Sequence, residues 1–217
     1  MRIIGGEWRG RPIKAPQGRQ ATRPTTDRVR EALASVVISR MGEVSGARVL
    51  DAFAGSGALG LEMLSRGAAH VTLCDQDRAA LACIRSNVSS LGIGPDRVSV
   101  VGGDVFLSAG RGRIPGAPFD LVLLDPPYAT PAERVADLLA DLSRAGMAPR
   151  GCLVVYERSA DADALPSRAP LTSLASKRYG STCVDVLAFG ARAGEGDQAP
   201  GRGTVAGADM VNTSEEV

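Results

Sequence analysis

From residue 48 onward, short apolar runs alternate with longer stretches in which apolar residues recur every three or four positions. Short apolar runs are typical of strands buried in a parallel sheet, and the three-to-four spacing is typical of helices that cover it. The pattern predicts an α/β fold, a mostly parallel sheet with helices on both faces. The clearest helical stripes are Leu81, Ile84, Val88 and Leu91, and Val135, Leu138, Leu139 and Leu142. The predicted strands are Arg48 to Leu50, Val71 to Cys74, Val98 to Val101, Leu121 to Leu124, Cys152 to Tyr156 and Val184 to Phe189.

The first 40 residues have a different pattern, in which isolated apolar residues stand among glycines and arginines. Residues 3–13 indicate a small β-hairpin with glycine turns. Thr25 and Thr26 are candidate caps for a following helix. Trp8, the only tryptophan, is expected to pack the hairpin against the rest of the protein rather than to stack on a base. The apolar face of the predicted helix consists of Val29, Leu33, Val36 and Val37.

The composition changes again after Phe189, to Gly, Ala, Asp and Glu with almost no large apolar residues. We therefore expect a basic hairpin and helix over residues 1–40, a main domain over 41–190 and a disordered tail over 191–217. No apolar run approaches the roughly 20 residues of a membrane span, and the start lacks the apolar segment of a signal peptide. We expect a cytoplasmic monomer that does not contact a membrane.

Cysteine and histidine exclude several classes of site. The four cysteines are far apart and form no CxxC pair, so we expect reduced, mostly buried thiols and no metal site, although an oxidising compartment would also permit disulfides. His70 is the only histidine and begins an apolar run. It is expected at the surface or at a strand edge, and a histidine-based catalytic triad is nearly excluded.

Charge is unevenly distributed, although the whole chain has a net charge of only +1. Residues 1–30 carry eight basic and two acidic side chains, a net charge of +6, which leaves −5 for the other residues. Because arginine binds phosphate bidentately, this basic arm fits contact with a nucleic acid, and it fits a solvated basic face equally well. The candidate residues for nucleic-acid contact are Arg9, Arg11, Lys14, Arg19, Arg23 and Arg28.

An aspartate ends or closely follows each of the first four predicted strands. These residues are Asp51, Asp75, Asp104 and Asp125. The carboxyl ends of parallel strands meet at the edge of the sheet where ligands bind, so we expect the four carboxylates around one crevice. Any one of them could be a helix cap. Four gathered carboxylates repel one another unless a ligand with donors or positive charge lies between them.

The loop after the first strand contains Gly55, Gly57 and Gly60 in the spacing GxGxxG. This spacing is also found in proteins that bind nicotinamide dinucleotides, so the motif alone leaves an oxidoreductase open. Asp51 immediately precedes the loop and would repel a diphosphate. S-adenosylmethionine has no phosphate, and its sulfonium and ammonium groups are cationic. The position of Asp51 therefore favours this methyl donor over NAD.

The fourth strand is followed by Asp125-Pro126-Pro127-Tyr128. Two prolines remove two amide donors and keep the backbone extended, which leaves carbonyl groups free to face the crevice. Asp125 and the Pro126 carbonyl could accept the two N–H bonds of an exocyclic amine while Tyr128 stacks on the base. A stiff turn with a surface tyrosine is the alternative for such a string.

Several segments together resemble a known family. These are RIIGGEWRGRPI, ATRPTTDRVREAL, LDAFAGSGALGLEMLSRGA, DPPY and KRYGSTCVDVL. From Arg2 to about Phe189 the chain is similar to class I methyltransferases that act on exocyclic amines, and within them to the bacterial 16S ribosomal RNA guanine-2-amino methyltransferase D family. The glycine loop and DPPY occur widely among amino methyltransferases, whereas the arginine-rich start and RPTTDRVRE are more specific.

The resemblance implies a Rossmann-like fold with a seven-stranded sheet, S-adenosylmethionine as cofactor, and 16S rRNA within a partly assembled small ribosomal subunit as substrate. It implies that the target guanine lies at Asp125, Pro126 and Tyr128. Asp75 stands where the family commonly has Glu. Two rivals remain, a DNA adenine or cytosine amino methyltransferase and a non-catalytic RNA-binding module. The residues implied for the cofactor are Asp51, Ala52, Phe53, Gly55, Gly57, Asp75, Asp104 and Val105.

Overall fold

The structure is a computed structural model that describes residues 1–16, 27–166 and 169–190, without the side chains of residues 27–29. Several sequence predictions lie outside these residues. They are the caps Thr25 and Thr26, the candidate RNA-binding residues Arg19 and Arg23, the side chain of Arg28, and the disordered tail.

A seven-stranded sheet forms the centre of the molecule. Its strand order is β3-β2-β1-β4-β5-β7-β6. All neighbours from β3 to β5 are parallel, and β7 runs antiparallel to both β5 and β6. The predicted mostly parallel, seven-stranded sheet is confirmed. The strands are β1 (Arg48–Asp51), β2 (His70–Asp75), β3 (Val98–Gly102), β4 (Leu121–Leu124), β5 (Leu153–Ser159), β6 (Leu171–Tyr179) and β7 (Thr182–Phe189).

The described residues form five helices, which cover the two faces of the sheet as the apolar periodicity predicts. Residues on alternate sides of each strand separate into two apolar cores, so that Val49 faces one core and Leu50 the other. The first core includes the apolar faces of α1, α2 and α3, and the second includes those of α4 and α5. The helices are α1 (Asp27–Met41), α2 (Ala58–Ser65), α3 (Arg78–Leu91), α4 (Val105–Gly110) and α5 (Ala132–Arg144).

The hydrophobic pattern misses β6. Its sequence, LTSLASKRY, contains three polar residues at its solvent-exposed carboxyl half and no residue that is fully buried. As the edge strand, β6 pairs only with β7 and buries little apolar area, so it lacks the continuous apolar run of the central strands.

The N-terminal residues form a small hairpin packed on α2 and α3. Arg2 and Pro12 form an antiparallel bridge, and the amide of Ile3 donates to the carbonyl of Arg11 at 3.0 Å. Trp8 is only 7% exposed and shares the first core with Ile3. The guanidinium of Arg97 lies 5.1 Å from the centre of the Trp8 ring. The predicted hairpin and the packing of Trp8 against the rest of the protein are confirmed.

The cysteines and the histidine also lie where the sequence predicts. All four cysteines are free and buried. His70 is the first residue of β2, where its Nδ1 lies 3.0 Å from the Asp96 carbonyl and its Nε2 3.0 Å from Ser99 Oγ. No helix in the described part of the chain is long and apolar enough to cross a membrane.

Candidate active site

The candidate site lies where the strand order changes direction. From β1 the chain continues through β2 to β3 on one side, and β4 then pairs with the other side of β1. In open α/β sheets such a switch point leaves a crevice at the carboxyl ends of the two central strands, where ligands bind. Asp51 is the last residue of β1 and Asp125 directly follows β4. The fold therefore brings these two carboxylates to opposite sides of the crevice.

Asp51 is a buried carboxylate with an unusual protonation equilibrium. It is 3% exposed, and its Oδ2 accepts from the Gly60 amide at 3.0 Å. Burial, together with repulsion from the Asp125 and Asp75 carboxylates, raises the pKa of Asp51 to about 7, against the opposing effect of amide donors at Gly60 and Phe53. The predicted gathering of carboxylates is confirmed for these three residues, and a cation in the crevice would favour the charged form of Asp51.

The three glycines of the loop have different roles. A Cβ on Gly55 would meet no atom within 4 Å, so this backbone faces open space. A Cβ on Gly57 would lie 3.3 Å from both Leu61 and Leu73, and Gly57 has a φ of +78°. The Cβ direction of Gly57 therefore points into the apolar core. A Cβ on Gly60 would lie 2.5 Å from Leu73, which is the tight contact between helix and strand that the third glycine of this motif provides.

Asp75 and Asp104 are held by backbone amides. The carboxylate of Asp75 accepts from Gly55 at 2.8 Å and from Asp77 at 2.8 Å, so it fixes the glycine loop to the end of β2. Asp104 caps α4 by accepting from the Phe106 amide at 2.8 Å, which is the helix-cap alternative for this residue. Both carboxylates keep acceptor capacity for a ligand, since each oxygen has two lone pairs.

The other predicted cofactor residues contribute backbone bonds and apolar surface. The Ala52 amide donates to the Leu123 carbonyl of β4 at 3.1 Å. Val105 is the first residue of α4 and is 5% exposed, within the second core. The Phe53 ring is partly buried and packs at 5.8 Å, centre to centre, against the ring of Phe106.

Sequence reasoning missed two residues beside Asp104. The guanidinium of Arg134 lies 4.1 Å from the centre of the Phe106 ring and 3.8 Å from the Asp104 carboxylate. Phe106 lies two residues after Asp104, and this closeness in sequence to a predicted site residue could have indicated it. Arg134 is on α5 and comes to the site only through packing, so the sequence carries no local signal for it.

The Asp125–Tyr128 segment leaves β4 toward solvent. Asp125 is exposed, Pro126 is buried and the side chain of Tyr128 is 64% exposed. The Pro127 carbonyl accepts from the Thr130 amide at 2.8 Å, which closes a turn after the two prolines. An exposed aromatic ring beside a carboxylate at the switch point is available to stack on a planar ligand.

The candidate RNA-binding arm has a structural role as well as charge. Arg9 is exposed. Arg11 donates to the Ser90 carbonyl at 2.5 Å, and the Lys14 ammonium donates to Ser86 Oγ at 3.2 Å, so both side chains reach α3. Arg30, one of the basic residues in the count of charge, is 1% exposed and donates to the Arg2 carbonyl, so it does not contribute to an outer basic face.

Two further buried polar residues attach the arm, and the sequence reading missed both. Glu62 of α2 is fully buried and accepts from the amides of Ile4 and Gly5 at 2.8 and 2.9 Å. Asn87 of α3 accepts from the Lys14 amide at 2.8 Å and donates to the carbonyl of Ser56 in the glycine loop at 2.9 Å. Asn87 thus joins the arm to the loop.

Metal ligation was not predicted from the sequence. Within residues 1–16, 27–166 and 169–190, no three His, Cys, Asp or Glu side chains are grouped to hold a metal ion. The groups at the crevice include carboxylates, backbone amides, aromatic rings and the guanidinium of Arg134.

Comparison with known proteins identifies relatives of the chain and of its fold. Escherichia coli ribosomal RNA small subunit methyltransferase D is 44% identical over 132 residues, 59% of this chain and 60% of that protein. The solved structure of Escherichia coli yhhF matches with a TM-score of 0.71 at 32% identity, over 88% of this chain and 99% of that one. A structure of the rRNA methyltransferase aviRa from Streptomyces viridochromogenes matches in fold, with a TM-score of 0.64 at 18% identity over 81% and 89% of the two chains.

These matches confirm the Rossmann-like fold of class I methyltransferases. The alignment with methyltransferase D spans only about 60% of that relative's length. A family model described as conserved hypothetical protein 95 matches residues 1–188, which include the arm, the glycine loop, strands β1 to β6 and nearly all of β7. The chain therefore belongs to the conserved hypothetical protein 95 family, and its relatives include methyltransferase D of the bacterial small ribosomal subunit.

Proposed function

We propose that this protein transfers a methyl group from S-adenosylmethionine to the 2-amino group of a guanine in 16S rRNA. The observation that carries the proposal is the convergence of Asp51, Asp75 and Asp125 on the crevice beside Gly55. The 44% sequence identity to Escherichia coli ribosomal RNA small subunit methyltransferase D, over 132 residues, supports the substrate class. The predicted roles of the individual residues are part of this proposal.

The residues at the crevice suit a cationic, phosphate-free cofactor. Asp51 lies next to the glycine loop, where a carboxylate would repel the diphosphate of NAD but attract an ammonium or sulfonium group. Residues Asp51 to Gly57 would hold the methionine part, Asp75 would accept from the ribose hydroxyls, and Asp104 with Val105 would face the adenine. The Phe53 and Phe106 rings add apolar surface beside Asp104. When bound, S-adenosylmethionine supplies an electrophilic methyl group on sulfur.

Asp125 and Pro126 would prepare the amine for attack. The lone pair of an exocyclic amine is delocalised into the base, which makes the nitrogen a weak nucleophile. If the Asp125 carboxylate and the Pro126 carbonyl accept its two N–H bonds, the lone pair turns out of conjugation toward the methyl donor. Tyr128 would stack on the ring, and the proton lost after transfer would pass to solvent or to Asp125. Positioning and preorganised electrostatics then supply most of the rate.

The substrate guanine must be accessible. A 2-amino group within a paired RNA helix cannot enter a crevice of this kind, so the target lies in a loop or bulge, or flips out of its stack. A partly assembled small ribosomal subunit, with 16S rRNA and some ribosomal proteins in place, is the proposed natural substrate. The exposed residues of the basic arm would contribute RNA affinity that does not depend on sequence.

Single-turnover methylation of small ribosomal subunits that lack the modification tests this proposal. We expect Asp125→Ala to lower the rate about 100- to 1,000-fold, because it removes one of two preorganised acceptors. Donor affinity, titrated on the same preparation, should change by less than about threefold, since Asp125 contacts the amine and not the donor. Asp163→Ala, at an exposed loop position, is the control and should behave as wild type.

Nucleoside mass spectrometry of the product identifies the base. N2-methylguanosine in 16S rRNA supports the proposal, and methylated adenine or cytosine in DNA would replace it with the DNA amino methyltransferase alternative. Near-normal turnover in Asp125→Ala would place the chemistry elsewhere. A folded wild-type protein that binds RNA but not the donor would favour a non-catalytic binding module.

A further inference from the structure

A groove of about 420 Å³ lies between α1 and the last two strands, and its lining includes none of the four strand-end aspartates. The α1 side of the groove presents exposed Ser35, Ser39 and Arg40. Its opposite wall is the β6–β7 hairpin, which contains the KRYGST segment that the proposed chemistry does not use. The strand residues that line the groove are Ala175, Lys177, Tyr179, Val184 and Val186.

The alternation of β6 divides its charged residues between two faces. Lys177 and Tyr179 line the groove on the α1 side. Ser176 and Arg178, which alternate with them along the strand, lie on the other side, where Ser176 donates to Asp185 at 2.6 Å and Arg178 lies 4.0 Å from Asp161. Period-two alternation of a strand accounts for this separation. Neighbouring cations of one strand thus have different surroundings.

The groove reaches the same edge of the sheet as Asp125. Strand register places Leu124, Tyr156, Asp185 and Ser176 in one row across β4, β5, β7 and β6. The next row contains Lys177, so Lys177 is level with Asp125 and three strand spacings away. At about 4.8 Å for each spacing, the separation across the sheet is about 14 Å. A substrate with its target base at Asp125 could therefore continue into the groove.

The chemistry of the lining indicates what it holds. Its charged residues are Arg40 and Lys177, and no acidic residue is among the lining residues. A segment of protein would find two cations but no lining carboxylate for its own basic groups. A nucleic acid strand would find cations for its phosphates, serine hydroxyls for its sugar and phosphate oxygens, and an aromatic ring for a base.

We propose that this groove binds an unpaired stretch of the RNA substrate adjacent to the target nucleotide. Arg40 and Lys177 contact phosphates, and Tyr179 stacks on a base. Arg40 donates to the Leu174 carbonyl at 3.3 Å, and the other N–H groups of its guanidinium are sufficient for a phosphate. The inference rests on the proposed function for the identity of the RNA, but the groove can be tested by binding alone.

The test is the salt dependence of binding to a fluorescein-labelled, unstructured 12-nucleotide RNA, measured by anisotropy. Lys177→Gln should reduce the log–log slope by about 0.7, the value for one lost phosphate contact with a single strand. Arg178→Gln removes one charge from the adjacent residue on the other face, and its slope should equal that of wild type. Arg40→Gln should reproduce the effect of Lys177→Gln. Urea midpoints of all variants establish that they are folded to the same extent.

The aromatic contact has its own signature. Tyr179→Leu should weaken RNA binding about tenfold at every salt concentration without changing the slope, because stacking releases no counterions. Tyr179→Phe keeps the ring and should bind as wild type. If Tyr179→Phe binds RNA as weakly as Tyr179→Leu, the ring at position 179 does not stack on a base.

The test of RNA binding in the groove can fail independently of the proposed function. Equal slopes for Lys177→Gln and Arg178→Gln would show that the groove does not bind RNA, whether or not the wild type methylates ribosomal subunits. A wild type that shows the predicted slopes but no methyl transfer supports the groove and overturns the proposed function. Variants that keep their RNA affinity but lose a small-subunit protein from the complex would assign the groove to a protein partner and overturn it as an RNA site.

Discussion

Replacing Asp51 by Asn should change how the stability of the donor-free protein depends on pH. Asp51 has a pKa of about 7 in the folded protein, against an ordinary value of 3.8. The folded state therefore binds a proton between these two values that the unfolded state releases. The stability from this group is complete below about pH 4 and is lost as the pH rises through 7. The difference between the two pKa values corresponds to about 4 kcal/mol, a large share of a typical domain stability.

Asn cannot ionise, so the free energy of unfolding of Asp51→Asn should not fall with rising pH through this position. The amide keeps one oxygen acceptor for the Gly60 amide but gives up the second acceptor, at a cost of about 1 kcal/mol. We expect the variant to be more stable than wild type by about 3 kcal/mol at pH 8 and about equally stable at pH 4.5, where the wild type has lost only about 1 kcal/mol. The free energy of unfolding, measured in urea at pH 4.5, 6 and 8 without donor, shows whether the difference grows with pH in this way.

Asp163→Asn makes the same chemical change at an exposed loop position and serves as the control. Its stability should remain within about 0.5 kcal/mol of wild type at each pH. If wild type and Asp51→Asn have parallel stability curves from pH 4.5 to 8, the carboxylate does not titrate in this range. Burial and the neighbouring carboxylates would then not raise the pKa of Asp51 to about 7, and this support for a cationic ligand would be lost.

Other predictions follow from neighbouring features. Donor binding at pH 7 should release about half a proton from Asp51, seen as a buffer-dependent calorimetric enthalpy, and a buffer-independent enthalpy would contradict this. Gly60→Ala should lower the free energy of unfolding by about 1–3 kcal/mol, because its Cβ would lie 2.5 Å from Leu73; an unchanged urea midpoint would contradict it. Arg9→Gln should lower the log–log slope of RNA affinity against salt concentration by about 0.7. Arg11→Gln should lower this slope equally and should also lower the free energy of unfolding, because the Arg11 guanidinium donates to the Ser90 carbonyl.

Local patterns were sufficient to predict the central part of the fold. Strands β1 to β5 and β7 are apolar enough to be recognised individually, and the helices α3 and α5 have regular apolar stripes. The edge strand β6 was missed because an edge strand needs little apolar area. The strand-end aspartates Asp51, Asp75 and Asp125 were predictable as a group from the sequence, because the carboxyl ends of parallel strands meet at one edge of the sheet.

Contacts between distant parts of the chain were beyond sequence reasoning. Glu62, Asn87 and Arg134 each contact residues distant in the sequence. Each lies within a helix, and no local sequence motif marks it. The direction of the Gly57 Cβ was out of reach for a related reason, because it depends on a backbone angle that the GxGxxG spacing does not reveal.

The attachment of the arm has a consequence for synthesis on the ribosome. The amides of Ile4 and Gly5 bond to Glu62, and the Lys14 amide bonds to Asn87, so these three amides lack their side-chain partners until much later residues emerge. At about 5–20 residues per second, the wait between residues 14 and 87 is roughly 4 to 15 s. During that time the basic hairpin is an unanchored polycation beside ribosomal RNA.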